Sequence, residues 1–194
     1  MIPLLVATSN PGKLKEFSQL LRPMFLCESL PPNTFPVLED GKTYRENALK
    51  KAEGYFKRFN KPVLSDDSGL EIDALGGAPG VDSAIYGGES ISWPARWDFL
   101  YQQLGDLRQT NPLARFRCVL CYYDGVNPPR LFEATTEGHI NSKPKGTGGF
   151  GYDPIFYSRE LGKTLGEAGS DEKALISHRA RAVKKFIDFI KSQA

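Results

Sequence analysis

The chain has 194 residues, 40% of them hydrophobic and 25% charged, which allows one sizeable core and excludes a collagen-like, low-complexity or wholly disordered protein. Lys plus Arg number 25 against 23 Asp plus Glu, and a net charge of +2 gives no bulk electrostatic reason to bind nucleic acid or an anionic membrane. Any anion binding must be local. Three cysteines, Cys27, Cys118 and Cys121, are too few and odd in number for the disulfide framework of a small secreted domain. The longest apolar run, Ile2–Ala7, lacks the basic start of a signal peptide and the length of a bilayer span, so the expectation is a cytoplasmic protein with free thiols and no membrane partner.

Ile2–Ala7 reads as a strand buried on both faces, and Thr8-Ser9-Asn10-Pro11-Gly12 turns the chain into a helix. Asn10 suits the N-cap and Pro11 the first helical position, with Leu14, Phe17, Leu20 and Leu21 at helical spacing. After a proline-rich connection over residues 30–36, Tyr44, Ala48, Ala52, Tyr55, Phe56 and Phe59 trace one face of a second helix, with Lys51 beside it. Residues 61–64 predict a short strand ending in Ser65-Asp66-Asp67-Ser68-Gly69, and Gly76, Gly77, Pro79 and Gly80 an extended loop. Trp93–Leu104 predicts a helix. Residues 114–124 and 130–140, rich in β-branched and aromatic side chains, predict paired antiparallel strands around a turn at 124–129. Ile176, Ala180, Val183, Ile187 and Ile190 predict one helix over about residues 171–191.

Three patterns are set aside on physical grounds. Gly146-Thr147-Gly148-Gly149-Phe150-Gly151 matches G-x-G-x-x-G, but no strand precedes it and no helix follows, so a dinucleotide site is excluded. Cys118 and Cys121, three apart in a strand, point to opposite faces and cannot share a metal. Ser177 and His178, adjacent on a helix, diverge by about 100° and cannot form a nucleophile–base pair. Of the lysines at 13, 15, 50, 51, 57, 173, 184 and 185, most read as solvated surface.

Three constellations remain. Thr8-x-Asn10-x-x-Lys13 lies where free N–H groups and the helix dipole favour an anion, and reads either as a phosphate cradle or as a capped helix start. Asp66-Asp67 reads either as turn chemistry or as a carboxylate pair that Mg²⁺ would satisfy while sharing its shell with substrate phosphates, with Glu39 as a further ligand. Lys173 and Ser177, four apart, with His178 and Arg179, gather donors for phosphate or a base edge, or else decorate a surface helix.

Together Thr8-Ser9-Asn10-Pro11-Gly12-Lys13, Glu46-Asn47-Ala48-Leu49-Lys50-Lys51-Ala52, Ser65-Asp66-Asp67-Ser68-Gly69-Leu70, Leu75-Gly76-Gly77-Ala78-Pro79-Gly80, the segment from Gly146 through Phe150-Gly151-Tyr152-Asp153-Pro154, and Lys173-Ala174-Leu175-Ile176-Ser177-His178-Arg179 resemble the inosine triphosphate pyrophosphatase family of XTP/dITP diphosphatases. The resemblance implies a single α/β domain over residues 1–194 with an elongated, twisted, mixed sheet flanked by helices, and two lobes with the active site in the cleft between them. It implies Mg²⁺-dependent hydrolysis of ITP, dITP and XTP to monophosphate and pyrophosphate, and a homodimer, while the balanced charge argues against a stable nucleic-acid partner. By the same resemblance Thr8, Asn10, Lys13 and Lys51 are similar to triphosphate ligands, and Ser9 and Ser68 to further substrate-binding residues. Glu39, Asp66 and Asp67 resemble the metal carboxylates, with Asp67 as the catalytic base. Phe150 resembles a stacking platform, with Gly151, Tyr152, Asp153, Ser177, His178 and Arg179 around the base and Lys173 closing on the nucleotide. The chain departs from the family at Ile85, where arginine is frequent, and over Trp93 to Trp97.

Overall fold

The computed structural model describes residues 1–193. Its strands are β1 (Ile2–Ala7), β2 (Phe25–Ser29), β3 (Val63–Ile72), β4 (Leu113–Tyr123), β5 (Arg130–Ile140), β6 (Phe156–Ser158) and β7 (Lys163–Thr164), and its helices are α1 (Pro11–Leu20), α2 (Tyr44–Phe59), α3 (Trp93–Leu104), α4 (Ser170–Ile176) and α5 (His178–Ser192). The strands form one sheet in the order β2-β1-β3-β4-β5-β6-β7. It is mixed: β1 pairs in parallel with β2 and β3, while β6 is antiparallel to β5 and β7. The α/β class expected from the sequence holds. Among the described residues no helix is long and apolar enough to cross a membrane.

The chain divides into two compact units: residues 1–67, Cys118–Ala134 and the chain from Arg179, then Ser68–Arg117 with Thr135–His178. In the first, one sheet face packs Leu4, Val6, Leu64, Cys118 and Leu120 against Phe17 and Leu21 and against Ala182, Val183 and Phe186 of α5. The other face meets α2, where the Ser65 hydroxyl donates to the Ala48 carbonyl (2.6 Å). Side chains of a strand alternate between faces, so Leu64 and Asp66 face α1 and α5 while Ser65 and Asp67 face α2. In the second unit Leu70, Ile72, Phe116 and Ile140 pack on Leu100, Tyr101 and Leu104 of α3 and on Phe156.

Four sequence expectations need correction. Asp66 and Asp67 are not at a strand end or in a turn; β3 runs through them to Ile72. The helix expected over 171–191 is two helices, because Ser177 adopts extended geometry (φ −66°, ψ 152°). The Thr136 hydroxyl donates to the Ile176 carbonyl (2.7 Å) that the break releases, so Lys173 and Ser177 do not share one continuous helical face. The loop after β3 contains short 3₁₀ turns at Asp73–Leu75 and Gly80–Asp82. Finally, β2 was not anticipated: only Phe25 of its residues is fully buried, so it carries little periodic signal.

Candidate active site

The first unit holds a cluster of lysines and carboxylates. Asn10, in extended geometry, caps α1 by accepting from the Gly12 and Lys13 N–H groups (2.9 and 3.2 Å), and its own N–H donates to the Thr8 hydroxyl (3.2 Å). Asn10 thus caps the helix start, with Ser9 exposed at the turn. Capping aims Lys13 at β3, where its ammonium donates to Asp66 Oδ2 (2.7 Å). Arg179, at the start of α5 and fully buried, donates to Glu16 of α1 and lies over the Phe17 ring.

On the opposite face of β3, Asp67 accepts from Asn47 Nδ2 of α2 (3.1 Å), and Asn47 Oδ1 accepts from the Gly41 N–H (2.8 Å). One α2 amide thus ties Asp67 to the loop carrying Glu39. One turn further along α2, Lys51 donates to Glu39 Oε2 (2.5 Å). Burial opposes the Lys51 charge, yet the Asp66, Glu39 and Asp67 carboxylates raise its pKa.

The adjacent carboxylates are tuned apart. Burial would raise Asp66, but the Lys13, Arg179 and Lys51 charges outweigh it and hold that carboxyl well below the usual range. At Asp67 burial wins and pushes the carboxyl up to about 6, against the pull of Lys51, Lys13 and the Asn47 amide. Asp66 is a fixed anion and Asp67 a proton acceptor near neutrality. Among the described residues no three His, Cys, Asp or Glu side chains cluster as a metal site. The donor chemistry nonetheless fits a hard divalent cation: Asp67 and Glu39 are oxygen donors, and Asp67 carries more proton affinity than its two lysines relieve.

The second unit holds a different group. Residues 146–154 form a tight loop in which the Phe150 N–H donates to Asp153 Oδ2 (2.8 Å). Gly149, at φ +70°, leaves room for that carboxylate, since a Cβ there would stand 2.1 Å from Asp153 Oδ2. Lys173 of α4 donates to the same oxygen (2.5 Å) and lies over the Phe150 ring (4.7 Å to its centroid). Asp153 and Lys173 are buried, whereas Phe150 is half-buried. His178 stacks on Phe116 (4.8 Å, 16°), and Tyr152 and Ser177 are buried close by in sequence.

Of the expected site residues, Thr8, Asn10, Lys13, Glu39, Lys51, Asp66 and Asp67 are joined by contacts or charge in the first unit, and Phe150, Asp153 and Lys173 in the second. Ser68, half-buried on β3, and Gly151, Tyr152, Ser177 and His178 belong to the second unit, and Arg179 to the first. Sequence reasoning overlooked Asn47 and Glu16. Asn47 carried a signal, a polar side chain at the apolar spacing of α2; Glu16 carried none, because its partner is remote in sequence.

A mixed α/β protein with a capped helix start, buried lysines and strand carboxylates of divided pKa belongs to the class that handles phosphorylated ligands. More particularly, the chain belongs to the Ham1 family, which it matches over residues 4–189. It is 43% identical over 188 residues to the dITP/XTP pyrophosphatase of Geobacillus kaustophilus, covering 95% of this chain and 92% of the relative. It is 45% identical over 184 residues to that of Bacillus subtilis, covering 93% of each. Among solved structures, the Staphylococcus aureus Ham1 protein superposes with a TM-score of 0.87 at 37% identity, over 99% of this chain and all of that one (100%). A HAM1 protein from Coxiella burnetii gives 0.85 at 33% identity over 100% of both. The resemblance drawn from the six motifs is thereby borne out.

Proposed function

We propose that the chain, working as one domain over residues 1–194, hydrolyses the deaminated purine triphosphates ITP, dITP and XTP to the nucleoside monophosphate and pyrophosphate. The observation that carries this reading is the end-to-end likeness to dITP/XTP pyrophosphatases, and the division of pKa between Asp66 and Asp67 supports it chemically. Thr8, Ser9, Asn10, Lys13, Lys51 and Ser68 hold the triphosphate, the ammonium groups by charge-assisted hydrogen bonds to phosphate oxygens. Asp67 Oδ takes the proton of a water whose oxygen bonds to the α-phosphorus as the bond to the pyrophosphate oxygen breaks. Lys13 and Lys51 stabilise the charge that develops on the phosphate oxygens. Mg²⁺, held by Asp67 and Glu39 with Asp66 beside them, supplies Lewis-acid polarisation and charge neutralisation when bound.

Phe150 stacks on the base, and Asp153, His178 and Arg179 read its edge with the backbone of Gly151 and Tyr152, while Ser177 and Lys173 close on the nucleotide. A 6-oxo purine presents an acceptor where adenine presents an amino donor, and a site built for one leaves buried groups unpaired by the other. Rejection of GTP must then involve the 2-position. We further infer a homodimer acting in the cytoplasm, which sedimentation of the purified protein and imaging of the tagged chain test.

Pyrophosphate release with Mg²⁺ from ITP, XTP and dITP beside ATP, GTP, dTTP and dUTP tests the reading. Preferential conversion of ITP and XTP to monophosphate is expected. Orthophosphate release or a pyrimidine preference would overturn the substrate assignment, and tight binding without turnover would make the chain a nucleotide-binding regulator.

A further inference from the structure

The loop that carries Phe150 and Asp153 is gripped by α3, through residues to which the reaction above gives no role. The indole N–H of Trp97 donates to the Gly151 carbonyl (3.0 Å). Gly151 sits at φ +65°, and the Trp93 ring stands 3.6 Å from where a Cβ of that residue would be. Trp93 also meets Tyr152 edge to face (5.2 Å, 75°), and the Tyr152 hydroxyl donates to the Ser83 carbonyl (2.9 Å).

Arg96 seats this group. Its guanidinium lies over the Trp93 ring (5.2 Å) and donates to the Tyr86 carbonyl (2.5 Å), although the residue is only 3% exposed. Its Nε is buried and has no hydrogen-bond partner among the described residues. A desolvated guanidinium is costly to hold, and here it fixes the plane of Trp93.

We propose that Trp97, seated with Trp93 and Arg96, is a positioning residue for base recognition: its N–H fixes the peptide that follows Gly151 and so the presentation of Phe150 and Asp153. This rests on the base-binding reading of that loop. Phe150 and Asp153 flank the anchored peptide in sequence, so a loop released at Gly151 samples conformers in which the stacking ring and the carboxylate are displaced. Apparent affinity then falls by the fraction of molecules still in the competent conformer.

Trp97→Phe keeps the ring and deletes the donor. Steady-state kinetics on ITP should show KM raised, by up to about fivefold, the largest population shift one neutral hydrogen bond can set, with kcat within about twofold of the parent. Inhibition by inorganic tripolyphosphate, which has no base, should be unchanged. An unaltered KM, or equal weakening of ITP and tripolyphosphate, would overturn the proposal. Where Trp97→Phe does not fold, Trp93→Leu removes the ring over Gly151 and must give the same split between ITP and tripolyphosphate; equal effects on both overturn it. If the parent binds ITP without turnover, the reaction above fails while the same split is read from dissociation constants. If it binds no ITP, both fail.

Discussion

The two charged clusters are built on opposite principles. In the first unit Lys13 and Lys51 face Asp66, Asp67 and Glu39, and the division is uneven: Asp66 is held as an anion while Asp67 keeps a carboxyl near 6. In the second unit Asp153 and Lys173 form one closed, buried pair, beside a half-exposed aromatic ring. An uneven cluster has proton and cation affinity left for chemistry. The buried pair fixes a loop, through the Phe150 N–H and the Lys173 ammonium on one Asp153 oxygen. The difference separates turnover from recognition.

The largest effect expected is on turnover. Asp67→Asn should lower kcat by on the order of 10²–10⁴-fold, with ITP affinity changed only a few-fold; pyrophosphate release and equilibrium binding on the same sample check it, and near-normal turnover removes Asp67 from the mechanism. In the buried Asp153–Lys173 pair a further effect falls on stability. Lys173→Met leaves Asp153 buried without its cation and should cost about 3–5 kcal/mol in denaturant unfolding, whereas Lys173→Met combined with Asp153→Asn should cost less than Lys173→Met alone.

A third expectation separates the two aspartates by sign. In metal-free protein the raised Asp67 carboxyl contributes stability below an unfolded value of about 3.8, and that contribution is lost as pH rises through about 6. Asp66, lowered, contributes above the unfolded value and loses its share as pH falls below it. Unfolding between pH 4 and 6 should therefore show a downward contribution with pH that Asp67→Asn abolishes and Asp66→Asn does not. Added Mg²⁺ should remove it too, by drawing the Asp67 proton off. The smallest effect belongs to lysines outside both clusters: Lys50 and Lys184 pair with Asp40 and Asp188 in solvent, and Met at either should change stability by no more than about 0.5 kcal/mol and leave turnover intact.

Where hydrophobic period and end signals agree, the elements were legible. Asn10 and Pro11 marked the start of α1, and the face of α2, the span of α3 and the strands β4 and β5 lie where residue type placed them. Cys118 and Cys121 are both buried, with thiols pushed up to about 12, as core residues on opposite faces should be. What escaped was set by contacts remote in sequence. No glycine or proline announces the break at Ser177, whose released carbonyl is taken up by Thr136 of β5. Two adjacent aspartates argue against a buried strand until α1 and α2 deliver a lysine to each side. The strand β7 is too short to show a period.

Hydrolysis of ITP in ¹⁸O-labelled water tests the central claim most directly, because it reports which phosphorus the water attacks. Attack at the α-phosphorus, with Asp67 taking the proton, places the label in the nucleoside monophosphate and leaves the pyrophosphate unlabelled; label in pyrophosphate or in released orthophosphate would contradict the account.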